Sequence, residues 1–303
     1  MRKADITPAL VECLVREQFA QWAHLPVTPV EHDGWDNASF RLGDELSVRL
    51  PSSEHYAAQV DKEHRWLPVL APYLPLPIPR PVAKGVPGCG FPRPWSVYGW
   101  LPGAHATAER VGSMTEFARS LGEFLLALYA VPAAGGPAAG QHNFWRGASP
   151  AVYDEQTRAA LALLGGAVDV AACARVWDAA IASEWERDPV WVHGDLSASN
   201  LLAVDGRLSA VIDFGTTCVG DPACDLAITW TFFDGASRDV FAATVGLDEG
   251  TWARGRGWTL WKALITLAPD GHLAAPGEAE LAALRYGWRH GVTGLIEDLV
   301  AGG

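Results

Sequence analysis

Trp191-Val192-His193-Gly194-Asp195, with Asn200 five residues beyond Asp195 and Asp213-Phe214-Gly215 beginning eighteen beyond it, is the stretch on which the reading of this chain turns. It sets two carboxylates and an amide around one turn-and-hairpin unit. Carboxylate and amide oxygens are hard ligands suited to Mg²⁺, and a further carboxylate can orient a hydroxyl and accept its proton. A lone His-Gly-Asp is weak, because each of these residues is common in turns. The combination is specific.

The spacing predicts a local geometry. Leu201-Leu202-Ala203-Val204 and Leu208-Ser209-Ala210-Val211-Ile212 are strand-like, and Asp205-Gly206 between them is a strong two-residue hairpin signal. Counting back from Val204 opposite Arg207 puts Asn200 opposite Val211. Asp213 is then a diagonal neighbour on the same face, with backbones about 7–8 Å apart. One cation with ligands at about 2.1 Å can bridge such a pair. Asp195, across a loop, is left for the hydroxyl. His193 reads as a structural residue that holds the loop.

Working outward, Thr7-Pro8 opens a helix within residues 5–22. Residues 38–42 and 46–50 read as two strands around Gly43-Asp44-Glu45, followed by a helix from Tyr56 to Leu67 that proline at 68 should end. Residues 72–94 are rich in proline and glycine and read as loops with short edge strands; Trp95-Ser96-Val97-Tyr98 reads as a buried strand. Ser113 and Glu116 fit a capping box, and Phe117, Leu121, Phe124 and Leu128 share one helical face. Beyond the motif block the chain is mostly helical and holds Trp230, Trp252, Trp258, Trp261 and Trp288. The expected fold is α+β in two lobes: a small β-rich lobe over 1–98, a hinge over 99–103, and a larger, mostly helical lobe over 104–303.

The 303 residues allow a substantial core. Hydrophobic residues make up 49% and charged residues 19%, a globular balance. A net charge of −12 repels phosphate backbones, so no nucleic-acid partner is expected. Five cysteines without a Cys-x-x-Cys pair indicate neither a disulfide framework nor a zinc site, and point to a reducing cytoplasm. No membrane span and no signal peptide are read. A monomer or dimer is expected.

The chain resembles the aminoglycoside phosphotransferase family, which shares the protein-kinase-like fold with choline and macrolide kinases. The matching residues are His193 to Asn200, Val211-Ile212-Asp213-Phe214-Gly215 and Asp221-Pro222-Ala223-Cys224-Asp225-Leu226. The resemblance implies Asp195 as catalytic base, Asn200 and Asp213 as Mg²⁺ ligands, and Asp221 and Asp225 as structural acids beneath the catalytic loop. It implies ATP or GTP as co-substrate. Arg49 stands where the family usually has a phosphate-binding lysine, with Glu63 as its ion-pair partner. Tyr98-Gly99-Trp100-Leu101 resembles the hinge that hydrogen-bonds the base. The segment Gly34 to Ser39 would cover the nucleotide, with Asn37 and Ser39 meeting phosphates, although it lacks a glycine-rich repeat. Arginine keeps the charge of lysine and grips phosphate bidentately, but is bulkier.

The residues are compatible with several acceptors. An acidic excess after residue 216 suits an amine-rich sugar such as an aminoglycoside antibiotic; antibiotic resistance is one role this leaves open. Asp234, Glu297 and Asp298 are candidate amine contacts. Trp230 and Trp261 are candidate walls for a macrolide or a choline-like cation. Two further readings compete: a kinase-fold binding protein without transfer activity, and a metal-dependent hydrolase built on His193 and Asp195, which lacks a histidine cluster.

Overall fold

The structure is a computed structural model that describes residues 2–30, 34, 36–269, 272–274 and 277–302. Trp35, in the expected nucleotide-covering segment, lies outside the described residues. The chain divides into two compact units.

The first comprises Met1–Pro72, Pro77–Pro102 and Asp213–Gly215. Its elements are α1 (Pro8–Gln18), β1 (Val27–Pro29), β2 (Asn37–Leu42), β3 (Leu46–Pro51), α2 (Glu54–Leu70), β4 (Pro81–Gly85) and β5 (Trp95–Gly99). Thr7 caps α1 by accepting the Leu10 N–H at 3.3 Å. The strands form one antiparallel sheet in the order β1-β2-β3-β5-β4. Alternation sends Phe40, Leu42, Val48, Leu50 and Val97 into a core completed by Val11 and Leu14 of α1. Burying each such side chain contributes about 1.5–3 kcal/mol.

Two expectations are corrected here. Helix α2 does not stop before Pro68 but runs on to Leu70, and the Ala71 N–H closes it on the Leu67 carbonyl. Proline forfeits one hydrogen bond late in the helix, while Leu67 and Leu70, 1% and 0% exposed, anchor the last turn in the core. The cysteines are not all free. Cys13 of α1 and Cys89 of the β4–β5 connection form a disulfide across 76 residues. Cys173, Cys218 and Cys224 are buried and outside any disulfide. The disulfide removes the ground on which a reducing compartment was expected.

The second unit comprises Tyr73–Leu76, Gly103–Ile212 and Thr216–Gly303. It contains β6 (Ala104–His105), α3 (Met114–Tyr129), α4 (Asp154–Leu163), α5 (Val170–Ile181), β7 (Val190–Val192), β8 (Leu201–Val204), β9 (Arg207–Val211) and β10 (Cys218–Gly220). Five helices follow: α6 (Ile228–Thr231), α7 (Gly235–Val245), α8 (Glu249–Leu267), α9 (Glu278–Arg285) and α10 (Gly291–Ala301). Small antiparallel sheets, β6-β8-β9 and β10-β7, carry the motif block. Ser113 caps α3, accepting the Glu116 N–H at 3.4 Å, and Phe117, Leu121, Phe124 and Leu128 are buried as the periodicity predicts. Helix α3 packs on α7, where Gly122 lets the two approach: a Cβ there would lie 2.8 Å from Thr244 Cγ2. Among the described residues no helix is long and apolar enough to cross a membrane.

Candidate active site

The second unit holds the loop from His193 to Asn200. Strand β7 delivers it and pairs with β10, Val192 opposite Cys218. The loop is held from several sides. The Asp225 carboxylate accepts the His193 N–H at 2.9 Å and the Gly194 N–H at 2.7 Å. Thr216 Oγ1 donates to the His193 carbonyl and Thr217 Oγ1 to that of Val192. His193 Nε2 donates to the Ile212 carbonyl at 2.9 Å, while its Nδ1 accepts the Asp195 N–H at 3.2 Å. A carbonyl can only accept, so these two bonds select the Nε2–H tautomer. Gly194 sits at φ +87°, and a Cβ there would come within 2.9 Å of both Thr216 oxygens, so the position requires glycine. From the far side, His105 of β6 donates to the Ser199 carbonyl.

Asp195 emerges exposed from this scaffold. Asn200, 8% exposed, donates its amide N–H to the Asp195 carbonyl at 2.8 Å and reaches its carboxylate at 3.4 Å. The Oδ1 of Asn200 has no protein donor among the described residues, and it is the atom a hard cation takes. The hairpin register differs from the simple count. Asp205 and Gly206 form the turn with φ +49° and +76°. A bulge at Ser209 then shifts the ladder, so that Leu201 faces Val211 and the Ile212 N–H donates to the Asn200 carbonyl at 2.9 Å. Asn200 therefore lies opposite Ile212, the residue immediately before Asp213. Asp213 itself adopts φ +67°, outside the strand geometry on which the expected diagonal rested.

The other two acids of the block, Asp221 and Asp225, are buried and bonded within the protein. Burial pushes the Asp225 carboxyl up, while His193 and the two N–H bonds pull it down less strongly. Asp221 accepts the Ala223 N–H and forms a buried ion pair with Arg254, whose Nε lies 2.6 Å away. Arg254, 1% exposed, also reaches Ser183 and Thr251. Spacing could not reveal it, because an arginine on a mainly polar turn of α8 reads as surface charge.

In the first unit, Arg49 of β3 faces Ser39 on one side and Ser96 on the other. Its guanidinium lies 3.7 Å from Glu63 of α2 and 3.3 Å from Asp213. Tyr98 donates its hydroxyl to Glu63 and offers its ring to Arg49 at 5.6 Å. Lys62 donates to the Gly215 carbonyl, and Gln59 packs where a Cβ on Gly215 would stand, 2.6 Å away. Tyr98 as partner of Glu63, and Lys62 and Gln59 as supports of the Asp213 loop, escaped the sequence reading. In the expected hinge, the Gly99 and Trp100 N–H groups are already bonded, to Arg80 and Glu45 carbonyls at 2.9 and 2.7 Å. The Leu101 N–H has no partner among the described residues.

The expected acceptor contacts fall in several places. Asp234 caps α7 and pairs with Arg289 at 2.8 Å. Asp298 pairs with Arg238. Trp230 is 5% exposed and meets Trp252 edge-on. Trp261, also 5% exposed, stacks on Tyr153 at 4.1 Å and donates to Gln156. Glu297 is exposed.

Residues 27–258 match the sequence profile of the phosphotransferase enzyme family. The chain belongs to this family. An aminoglycoside 3'-phosphotransferase from Escherichia coli is 46% identical over 65 residues, which is 20% of this chain and 24% of that protein; the match thus spans about a quarter of the curated relative. The GDP complex of aminoglycoside 2'-phosphotransferase-IIIa superposes with a TM-score of 0.69 at 18% identity, covering 98% of this chain and 99% of that one. The apoenzyme of a macrolide 2'-phosphotransferase from Brachybacterium faecium gives 0.59 at 25% identity, over 92% and 98%. These likenesses, with the β-rich and helical units described above, make the fold that of the kinase-like phosphotransferases, α+β as expected.

Proposed function

We propose that this phosphotransferase moves the γ-phosphoryl group of ATP or GTP to a hydroxyl of a small molecule, with an aminoglycoside as acceptor. The observation that carries the reading is the division of labour among the carboxylates. Asp221 and Asp225 are consumed by Arg254 and by backbone N–H groups, whereas Asp195 stands exposed on a loop that those bonds make rigid. A rigidly held, solvent-facing carboxylate is what a hydroxyl acceptor needs.

In this reading the acceptor oxygen attacks the γ-phosphorus, its proton passes to Asp195, and the bond to the leaving nucleoside diphosphate breaks. Asn200 keeps Asp195 in place through the 2.8 Å bond to its carbonyl. Arg49 receives phosphate oxygens, oriented by Glu63, and Ser39 lies beside it on the neighbouring strand. The base lies along Gly99-Trp100-Leu101, with the Leu101 N–H as the available donor. Asn200 Oδ1 and the Asp213 carboxylate would hold Mg²⁺, and their hard oxygens fit that ion. The ion supplies neutralisation of phosphate charge.

For the acceptor, a net charge of −12 favours a polycation, and the Escherichia coli relative is named for aminoglycosides. A macrolide is the second reading. The observation favouring it is that Asp234 and Asp298 are paired with arginines rather than left for amines. Purified protein with Mg-ATP or Mg-GTP and a panel of aminoglycosides, macrolides and choline tests both readings. Saturable ADP or GDP release with an aminoglycoside is expected, and release with macrolides alone replaces the first reading by the second. Nucleotide binding without release to any hydroxyl acceptor overturns the proposal in favour of a binding protein.

A further inference from the structure

Trp230, Trp252, Arg238, Arg256, Thr229 and Asp298 line a cavity of about 240 Å³ in the helical unit. Two arginines and two aspartates line it, and they differ in how they are engaged. Arg238 is fully engaged: Nη1 and Nη2 clasp both oxygens of Asp298, Nε donates to the Thr229 carbonyl and Nη2 to that of Phe233. Asp239, also on the cavity, is exposed and solvated. Arg256, half-buried on α8, has no hydrogen bond or ion pair with protein among the described residues. Its guanidinium lies over the Trp230 ring at 5.8 Å. Burial depresses its basicity, opposed by Asp298 and reinforced by Arg238, as expected of a cation short of counter-charge.

Donors without acceptors converge on the same cavity. The Thr229 hydroxyl is buried and unpartnered, and the Trp230 indole N–H has no protein acceptor among the described residues. The Trp252 N–H, by contrast, is satisfied by the Leu247 carbonyl at 3.1 Å. The buried Thr229 hydroxyl costs free energy while it is unpaired, and an acceptor recovers it. Trp230 and Trp252 meet at 77°, so the two indoles form an apolar corner against which a ring can rest. The volume is below the roughly 300 Å³ at which drug-sized pockets begin, so the occupant is small.

We infer that this cavity is a binding site for a small aromatic carboxylate, its carboxylate gripped by Arg256 and its ring lodged against Trp230 and Trp252. Asp298, expected to meet acceptor amines, and Trp230, expected as a wall for a macrolide or a choline-like cation, thus line a site proposed for an anion. The inference is independent of the phosphotransfer reading, since neither nucleotide nor Asp195 enters it.

Isothermal titration of the full chain with benzoate and with its neutral isostere benzamide tests the site. Benzoate should bind saturably at one site, and benzamide about tenfold or more weakly, because a charge-assisted bidentate bond is lost. Arg256→Gln should reduce benzoate to the benzamide level, and Arg256→Lys should give an intermediate affinity. Equal binding of the two ligands overturns the inference, as does wild-type benzoate affinity in a cooperatively unfolding Arg256→Gln, or no benzoate binding to the wild type. Should Arg256→Gln fail to fold, Arg256→Lys decides: unchanged affinity rejects the bidentate grip.

Discussion

Arg49 holds two carboxylates with one guanidinium: Nη2 lies 3.3 Å from Asp213 Oδ1 and Nη1 lies 3.7 Å from Glu63 Oε1. Burial works against its charge, but Glu63 and Asp213 outweigh it and keep the guanidinium protonated. The contact to Glu63 is an ion pair without a hydrogen bond, and Glu63 Oε1 is buried without a donor. Arg49 is thus shared between a helix acid that fixes it and the acid proposed as a Mg²⁺ ligand.

Replacing Arg49 separates charge from shape. Arg49→Met leaves Glu63 buried without its cation and should lower stability by about 3–5 kcal/mol in urea unfolding. Arg49→Lys keeps one charge but cannot span both carboxylates; it should recover most of that stability while raising the KM for ATP several-fold. Unchanged unfolding of Arg49→Met removes the structural role given to this pair.

His64, next to Glu63 on α2, should make stability pH-dependent. Its ring nitrogen pairs with Ser96 Oγ at 3.0 Å, and burial, then Lys84, hold its basicity below the ordinary value. The unfolded chain therefore binds the proton first. The stabilisation is full above the unfolded value of about 6.5 and is lost as pH falls through the lower folded value. Denaturation midpoints measured from pH 7.5 to 5 should decline less in His64→Gln than in the wild type. A parallel decline contradicts this assignment.

Asp221 and Arg254 form a buried pair whose members cannot be removed singly. Arg254→Met should cost about 3–5 kcal/mol by stranding Asp221, and the double variant Asp221→Asn with Arg254→Met should cost clearly less than the sum of the single changes. A thermal-unfolding double-mutant cycle measures the coupling. Additive effects would mean the pair does not hold the segment beneath the catalytic loop.

What the sequence made legible was local. Asp205-Gly206 announces its hairpin because both residues tolerate positive φ, and Ser113 announces a helix start because its hydroxyl meets the Glu116 N–H. The β-rich and helical halves follow from the same kind of periodicity. What stayed hidden depends on approach in space. Cys13 and Cys89 are 76 residues apart, and no spacing rule joins them. The bulge at Ser209 defeats a count that assumes unbroken alternation; its hydroxyl donates to the Leu202 carbonyl at 3.0 Å. Leu67 and Leu70 override the proline between them through burial. At the site, the motif acids were readable, but not that Asp221 is committed to Arg254 or that Tyr98 holds Glu63. Those roles belong to partners on distant segments.

The central claim is that Asp195 takes the proton of the acceptor hydroxyl. It is tested most directly by steady-state release of nucleoside diphosphate from wild type and Asp195→Asn, with the same acceptor and saturating nucleotide. Asp195 is exposed, so the isosteric change should leave the fold and nucleotide affinity intact. In Asp195→Asn kcat should fall by about 10²–10⁴-fold. An Asp195→Asn enzyme that keeps wild-type turnover would contradict it.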